Sequence, residues 1–88
     1  MLTIWKYPVR AAEFAVQLPA DGQVLTVQMQ AGAPCIWVLL DPRKPTTTRT
    51  FRCFGTGHDI PSANLRYIGT WQERDGKLVF HLFEVPQR

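Results

Sequence analysis

Residues 65–85 have the sequence LRYIGTWQERDGKLVFHLFEV, in which two apolar runs flank the dipeptide Asp75-Gly76. Asp-Gly is a strong signal for a two-residue type I′ turn, because both central positions of that turn need a positive φ. The segment therefore predicts an antiparallel hairpin with apolar side chains on both faces. Pairing about the turn sets these residues opposite one another: Arg74/Lys77, Trp71/Phe80, Thr70/His81, Gly69/Leu82 and Ile68/Phe83.

Upstream of this hairpin, short runs rich in β-branched and aromatic residues alternate with turn signals such as Pro19–Gly22 and Ala31–Pro34. Such spacing is typical of all-β domains. We expect an all-β fold with at most one short helix, for which Ala11–Val16 is the best candidate. The architecture would be a small antiparallel sheet, a sandwich or a partly open barrel of six to seven strands, in one domain over residues 1–88. Strands are predicted at about residues 2–7, 13–18, 23–30, 35–41, 47–54, 65–73 and 78–85.

Two of these strands carry a burial pattern. In residues 23–30 the apolar side chains Leu25, Val27 and Met29 alternate with polar ones, which predicts one buried face and one polar face. The run Cys35–Leu40 is apolar on both faces, which favours a central strand.

Composition narrows the class of partner. The 88 residues carry a formal net charge of +3, but the basic residues do not form the stripe that proteins committed to duplex DNA present, which argues against nucleic acid. Cys35 and Cys53 lack metal-ligand spacing and lie in apolar runs, which favours reduced thiols; a disulfide between neighbouring strands is the alternative. We expect no membrane span and no signal peptide, and we therefore expect a cytosolic protein.

The segment richest in chemistry is residues 49–61, RTFRCFGTGHDIP. Its two glycines could turn backbone N–H groups into a concave nest for an anion. A hydroxyl, an imidazole and neighbouring guanidinium groups would complete a phosphate or carboxylate site. The alternative is that the glycines only end a strand and lead into an exposed turn. The candidate ligand-binding residues are Arg49, Arg52, Gly55, Thr56, Gly57, His58 and Arg66.

His58 and His81 are the only histidines, and with an arginine they could act as general acid and base on a phosphodiester. No carboxylate is placed by the sequence to orient either ring, and His81 lies in mid-strand between apolar neighbours. We therefore favour a non-catalytic protein with no metal site and no cofactor. The aromatic residues at strand positions are assigned to the core, whereas Trp5 is the one expected to be most exposed.

A series of short motifs extends from Lys6-Tyr7-Pro8 through Gly55-Thr56-Gly57-His58 and Tyr67-Ile68-Gly69-Thr70 to His81-Leu82-Phe83-Glu84. In this order the chain resembles a family of small proteins carried mainly by tailed bacteriophages and prophages. The resemblance covers nearly the whole chain. It implies a stand-alone domain in the cytoplasm of an infected host bacterium, and it implies no particular reaction.

Small phage proteins of this kind are often binders, so the resemblance favours a binding protein that acts against a host defence. Capture of a small anionic, nucleotide-like ligand is the favoured interpretation. The alternative is a protein–protein inhibitor of a host defence complex, such as a CRISPR effector or a nuclease, which would need an exposed apolar or aromatic patch. Open strand edges would also allow copies of the chain to pair into a homo-oligomer.

Overall fold

The computed structural model describes residues 1–61 and 64–86, and within them it contains seven β-strands and no helix. The strands agree with the predicted ones to within two residues at each end, which confirms the all-β fold. Residues 11–16, the helical candidate, form a bend and the start of the second strand instead. The part of the chain that the structure describes contains no helix that could span a membrane. The strands are β1 (Thr3–Pro8), β2 (Glu13–Pro19), β3 (Gln23–Gln30), β4 (Ala33–Leu40), β5 (Thr46–Gly55), β6 (Arg66–Glu73) and β7 (Leu78–Val85).

All the strands pair antiparallel and form two sheets, of order β1-β4-β3 and β2-β5-β7-β6. The sheets do not close into a barrel. β4 lies between two neighbours, as predicted from its two apolar faces. The sheets pack face to face and meet along one side, where β3 lies against β6. β1 and β2 are the outer strands on the other side.

One apolar core fills the space between the sheets. The larger sheet contributes Phe14, Leu18, Phe51, Trp71 and Leu82, and the smaller sheet contributes Val27, Ile36, Val38 and Leu40. The rings of Phe14 and Phe51 stack with their centroids 5.2 Å apart. Trp71 is buried, as expected for a strand aromatic, whereas 48% of Trp5 is exposed.

A β-bulge between Val24 and Thr26 interrupts the alternation predicted for β3. Val24 and Val27 face the core, because each lies opposite a buried residue of β4. Met29 keeps the face of Val27, since the two lie opposite Pro34 and Ile36 of β4, but it is exposed near the end of the strand. Leu25 is exposed, and the prediction that it shares the buried face with Val27 is wrong. One extra residue in the strand moves the side chains before it to the other face.

The β6–β7 hairpin has the predicted turn. Asp75 and Gly76 have φ values of 55° and 83°, and the N–H of Lys77 donates to the carbonyl of Arg74 at 3.1 Å. These are the features of a type I′ turn.

The predicted pairs of this hairpin hold from the turn as far as Gly69/Leu82. A bulge at Ile68 then places Tyr67 opposite Phe83, so the predicted Ile68/Phe83 pair is wrong. The bulge lets Ile68 pack against the core and leaves Tyr67 on the outer face.

Candidate functional site

An open cleft of about 390 Å³ lies at the end of the sandwich where β1 connects to β2. The connection crosses from one sheet to the other and is bonded to both. The N–H of Val9 donates to the carbonyl of Pro34 in β4 at 3.0 Å, and the N–H of Cys53 in β5 donates to the carbonyl of Ala12 at 2.8 Å. The cleft volume lies within the range of small-molecule sites.

The lining of the cleft is mainly apolar, and its rigid wall comes from the β6–β7 hairpin. The Trp71 and Phe80 rings lie opposite each other in the register, with centroids 5.4 Å apart. The indole N–H of Trp71 donates to the Glu73 carboxylate at 2.8 Å, which fixes the ring. The polar side chains of the lining belong to Arg10, His58 and Glu73.

The turn that begins at Gly55 brings His58 to the cleft. The N–H of His58 donates to the carbonyl of Gly55 at 3.1 Å, and Gly57 has a φ of 90°, which side chains with a Cβ rarely adopt. The imidazole lies directly over Gly55, where an added Cβ would be 3.0 Å from its Cε1 atom. The absence of a Cβ at Gly55 therefore leaves room for the imidazole, and Gly57 allows the positive φ of the turn.

Two backbone amides at the anion nest predicted around residues 55–57 are already hydrogen-bonded within the protein. The N–H of Thr56 donates to the carbonyl of Val79, and the N–H of His58 donates to the carbonyl of Gly55, both at 3.1 Å. These amides are used within the turn and the sheet, so they cannot converge on a bound anion.

Arg49 is a structural residue and lies far from the Gly55 turn. It is six residues before Gly55 on β5, a separation of about 20 Å along an extended strand. Its guanidinium is buried and forms a bidentate pair with Glu84, through Nε–Oε2 at 2.6 Å and Nη2–Oε1 at 2.8 Å. Its Nη1 donates to the carbonyls of Pro19 at 3.0 Å and Gly22 at 2.6 Å.

The other two predicted arginines also lie away from the cleft. Arg66 lines a separate hollow of about 250 Å³ beside Arg49 and Glu84. Arg52 lies on the outer face of the larger sheet, with its guanidinium 5.1 Å from the centroid of Phe54 and 3.8 Å from the Glu13 carboxylate. Of the seven predicted residues, only Gly55 and His58 line the cleft, and the three arginines do not converge with them.

A row of aromatic side chains on the outer face of the larger sheet was not predicted from the sequence. The Tyr67 and Phe83 centroids lie 5.5 Å apart, and the Phe83 and Phe54 centroids lie 5.8 Å apart, both in edge-to-face contact. Tyr67 is 57% exposed. Alternation along each strand was a usable signal, but the bulge at Ile68 that sets Tyr67 on this face has no signature in the sequence.

A chain of hydrogen bonds crosses the same face beside these rings. His81 Nε2 is 2.8 Å from the Thr56 hydroxyl, and His81 Nδ1 is 2.9 Å from the Thr70 hydroxyl. The Thr70 hydroxyl is 2.6 Å from the Tyr67 hydroxyl. Both ring nitrogens of His81 are thus held by neutral hydroxyls. His58 lines the cleft, and the ring of His81 is bonded to Thr56 and Thr70 rather than to His58.

Cys35 and Cys53 are both free thiols and form no disulfide with each other. In the described residues, no group of three or more His, Cys, Asp or Glu side chains is arranged to hold a metal ion. Cys53 lines the cleft.

Burial raises the pKa of the Cys53 thiol to about 11. Because the reactive form of cysteine is the thiolate, we expect alkylation of Cys53 by iodoacetamide at neutral pH to be about 100-fold slower than in the unfolded chain. The rate should rise as the pH approaches 11. Peptide-resolved mass spectrometry of the folded and urea-unfolded protein would measure it, and equal rates in the two states would contradict the prediction.

A family model described as "Domain of unknown function (DUF7352)" matches residues 1–88. No curated protein and no solved structure matches the chain.

Proposed function

This chain belongs to the DUF7352 family, and we propose that it is a non-catalytic binding protein that captures a small ligand in the cleft at the β1–β2 end. The ligand would have a planar ring that packs against the apolar wall and an anionic part, as a nucleotide has in its base and its phosphate. The action against a host defence in the bacterial cytoplasm belongs to the same proposal and rests on the resemblance of the sequence to phage proteins.

The observation that carries this proposal is the combination of volume and lining in one cleft. At about 390 Å³ the cleft is large enough for a small organic ligand. Trp71 and Phe80, held in place by the register and by Glu73, supply an apolar wall for a planar group.

The anionic group of the ligand would lie beside Arg10 and His58. Both line the cleft, and a guanidinium binds a phosphate or carboxylate through charge-assisted hydrogen bonds. Among the described residues that line the cleft, Glu73 is the only acidic one, and its carboxylate already accepts the indole N–H of Trp71. The anion contact would therefore depend on side chains rather than on the predicted backbone nest.

Isothermal titration calorimetry with cyclic mononucleotides, cyclic dinucleotides and ADP-ribose derivatives tests this function. We expect one of these classes to bind, and we expect Arg10→Ala to weaken its Kd at least tenfold, a loss of about 1.4 kcal/mol. His58→Ala should also weaken binding. Arg43→Ala removes the same charge from an exposed site near Asp41, away from the cleft, and should leave the Kd unchanged.

The absence of both heat and thermal shift across this panel would overturn capture of a small nucleotide-like ligand. Equal losses from Arg10→Ala and Arg43→Ala would show that net charge, rather than the cleft, governs binding.

The second candidate function is inhibition of a host protein through the outer face of the larger sheet. The exposed ring of Tyr67 and the Arg52 guanidinium over Phe54 favour it, because tyrosine and arginine are enriched among the residues that dominate protein interfaces. A single pull-down from host lysate distinguishes the two functions. A stoichiometric protein lost with Tyr67→Ala and retained with Arg10→Ala would favour inhibition over ligand capture.

A further inference from the structure

We propose that β1 is a self-pairing edge, through which two copies of the chain form a dimer by antiparallel β1–β1 pairing centred on Trp5. Such a dimer would join two three-stranded sheets into one of six strands. The inference concerns a surface outside both the cleft and the outer aromatic face.

The backbone of β1 is used on one side only. All six residues, from Thr3 to Pro8, pair with β4, and β1 is the outer strand of its sheet. No strand of residues 1–61 and 64–86 pairs with its other side. A regular edge of this length presents a row of N–H and C=O groups that can pair with another strand.

Exposed apolar side chains concentrate at this edge. Of the nine large hydrophobic residues that the structure leaves exposed, four lie in the first five positions of the chain: Met1, Leu2, Ile4 and Trp5. Trp5 lies opposite the buried Val38 of β4, so its indole is on the core-facing side of the sheet and yet 48% exposed. Burial of an aromatic ring of this size would be a main source of free energy for association.

The one charged side chain of β1, Lys6, is directed away from the open edge of the strand. Lys6 is the only charged residue of β1, and its ammonium group donates to the Gln30 side chain on β3, at the far side of the sheet. Edge strands that avoid pairing commonly carry an exposed lysine or an inward-pointing charge. The outer strand of the other sheet, β2, carries Glu13 and Gln17 on its exposed face instead.

A second copy of the chain fits this edge because the pairing is self-complementary about a twofold axis. An axis perpendicular to the sheet at Trp5 places the two indoles opposite each other on the same face. It places Ile4 opposite Lys6 of the partner subunit, whose ammonium group is directed away from the seam toward Gln30. An axis at Lys6 would instead place the two lysines opposite each other and leave both Trp5 rings away from the centre of the pairing.

Sedimentation equilibrium of the full chain tests the proposal. We expect a species of twice the 10.1 kDa chain mass and at least a tenfold weaker dimer Kd for Trp5→Lys, with secondary structure retained. Leu78→Lys changes another exposed apolar residue on a strand of the other sheet and should leave the dimer intact. A monomeric wild-type protein, or a dimer broken by Leu78→Lys and not by Trp5→Lys, would overturn the proposal.

Cysteine crosslinking tests the centre of the pairing without a charged substitution. Position 4 lies opposite position 6 of the partner subunit across the proposed axis, so a mixture of Ile4→Cys and Lys6→Cys chains, which both keep Trp5, should give a disulfide-linked dimer under mild oxidation. Ile4→Cys chains alone, in which position 4 lies opposite the partner's Lys6, should crosslink much more slowly. The reverse order would overturn the Trp5-centred pairing. Ligand binding in the cleft is measured separately, so failure of either proposal leaves the other to be judged on its own result.

Discussion

Arg49→Met is expected to lower the free energy of unfolding by about 3–5 kcal/mol, because it leaves the buried Glu84 carboxylate without a partner. Arg49 is 5% exposed and Glu84 6% exposed. The substitution also leaves the carbonyls of Pro19 and Gly22 without the donor that Arg49 provides. Glu84→Gln should be destabilising for the converse reason, since it leaves the buried guanidinium charge uncompensated. Urea denaturation monitored by tryptophan fluorescence would measure both.

The double variant Arg49→Met/Glu84→Leu separates the unpaired charge from the loss of contacts. Because it removes both charges, it should be less destabilised than the sum of the single variants, in a coupling of about 1 kcal/mol or more. Arg43, whose exposed guanidinium pairs with Asp41, is the matched control, and Arg43→Ala should cost less than about 1 kcal/mol. If Arg49→Met and Arg43→Ala cost the same, the assignment of Arg49 to the structural core would be wrong.

Gly69→Ala is expected to cost about 1–3 kcal/mol, because there is no room for a methyl group between the sheets at this position. A Cβ at residue 69 would lie 2.9 Å from Cγ1 of Val27, which is itself buried in the core. The reason is steric and not conformational, since Gly69 is not among the residues with a positive φ. Gly69 thus permits the close approach of β6 to β3 that joins the two sheets along one side.

A double-mutant cycle with Val27→Ala tests this explanation. Removal of the Val27 methyl groups makes space for the new Cβ, so Gly69→Ala should cost markedly less in the Val27→Ala background than in the wild type. Gln72→Ala, an exposed change on the same strand, should stay within about 0.5 kcal/mol. An equal cost of Gly69→Ala in both backgrounds would exclude the contact with Val27 as its cause.

Much of the architecture follows from local features of the chain. The Asp75-Gly76 turn and the alternation of apolar and polar residues predict the positions of the strands, because both depend on neighbouring residues. The predicted facing and pairing of side chains within the strands are wrong at the two bulges, at Leu25 and Ile68. A bulge is selected by packing against the opposite sheet, so the strand's own residues do not predict it.

The candidate site was predicted less well, for a reason that Arg49 illustrates. Alternation correctly places Arg49 on the same face of β5 as Phe51, but that face proves to be the buried one. An arginine on an apolar face needs an acidic partner. That partner, Glu84, lies on the neighbouring strand β7 and is 35 residues away in the chain. Residues grouped by nearness in sequence, from Arg49 to His58, are in fact spread along one strand and its turn.

The sequence by itself determined the elements: seven strands, a type I′ hairpin and a central apolar strand, all of which depend on residue type and short spacing. Only the tertiary structure decided which side chains meet. In that structure Arg49, Arg52 and Arg66 lie away from His58, and Arg10 and Trp71 line one cleft. β1 is an outer strand with exposed apolar side chains. These outcomes depend on the pairing and packing of strands distant in the chain, for which nearest-neighbour patterns carry no information.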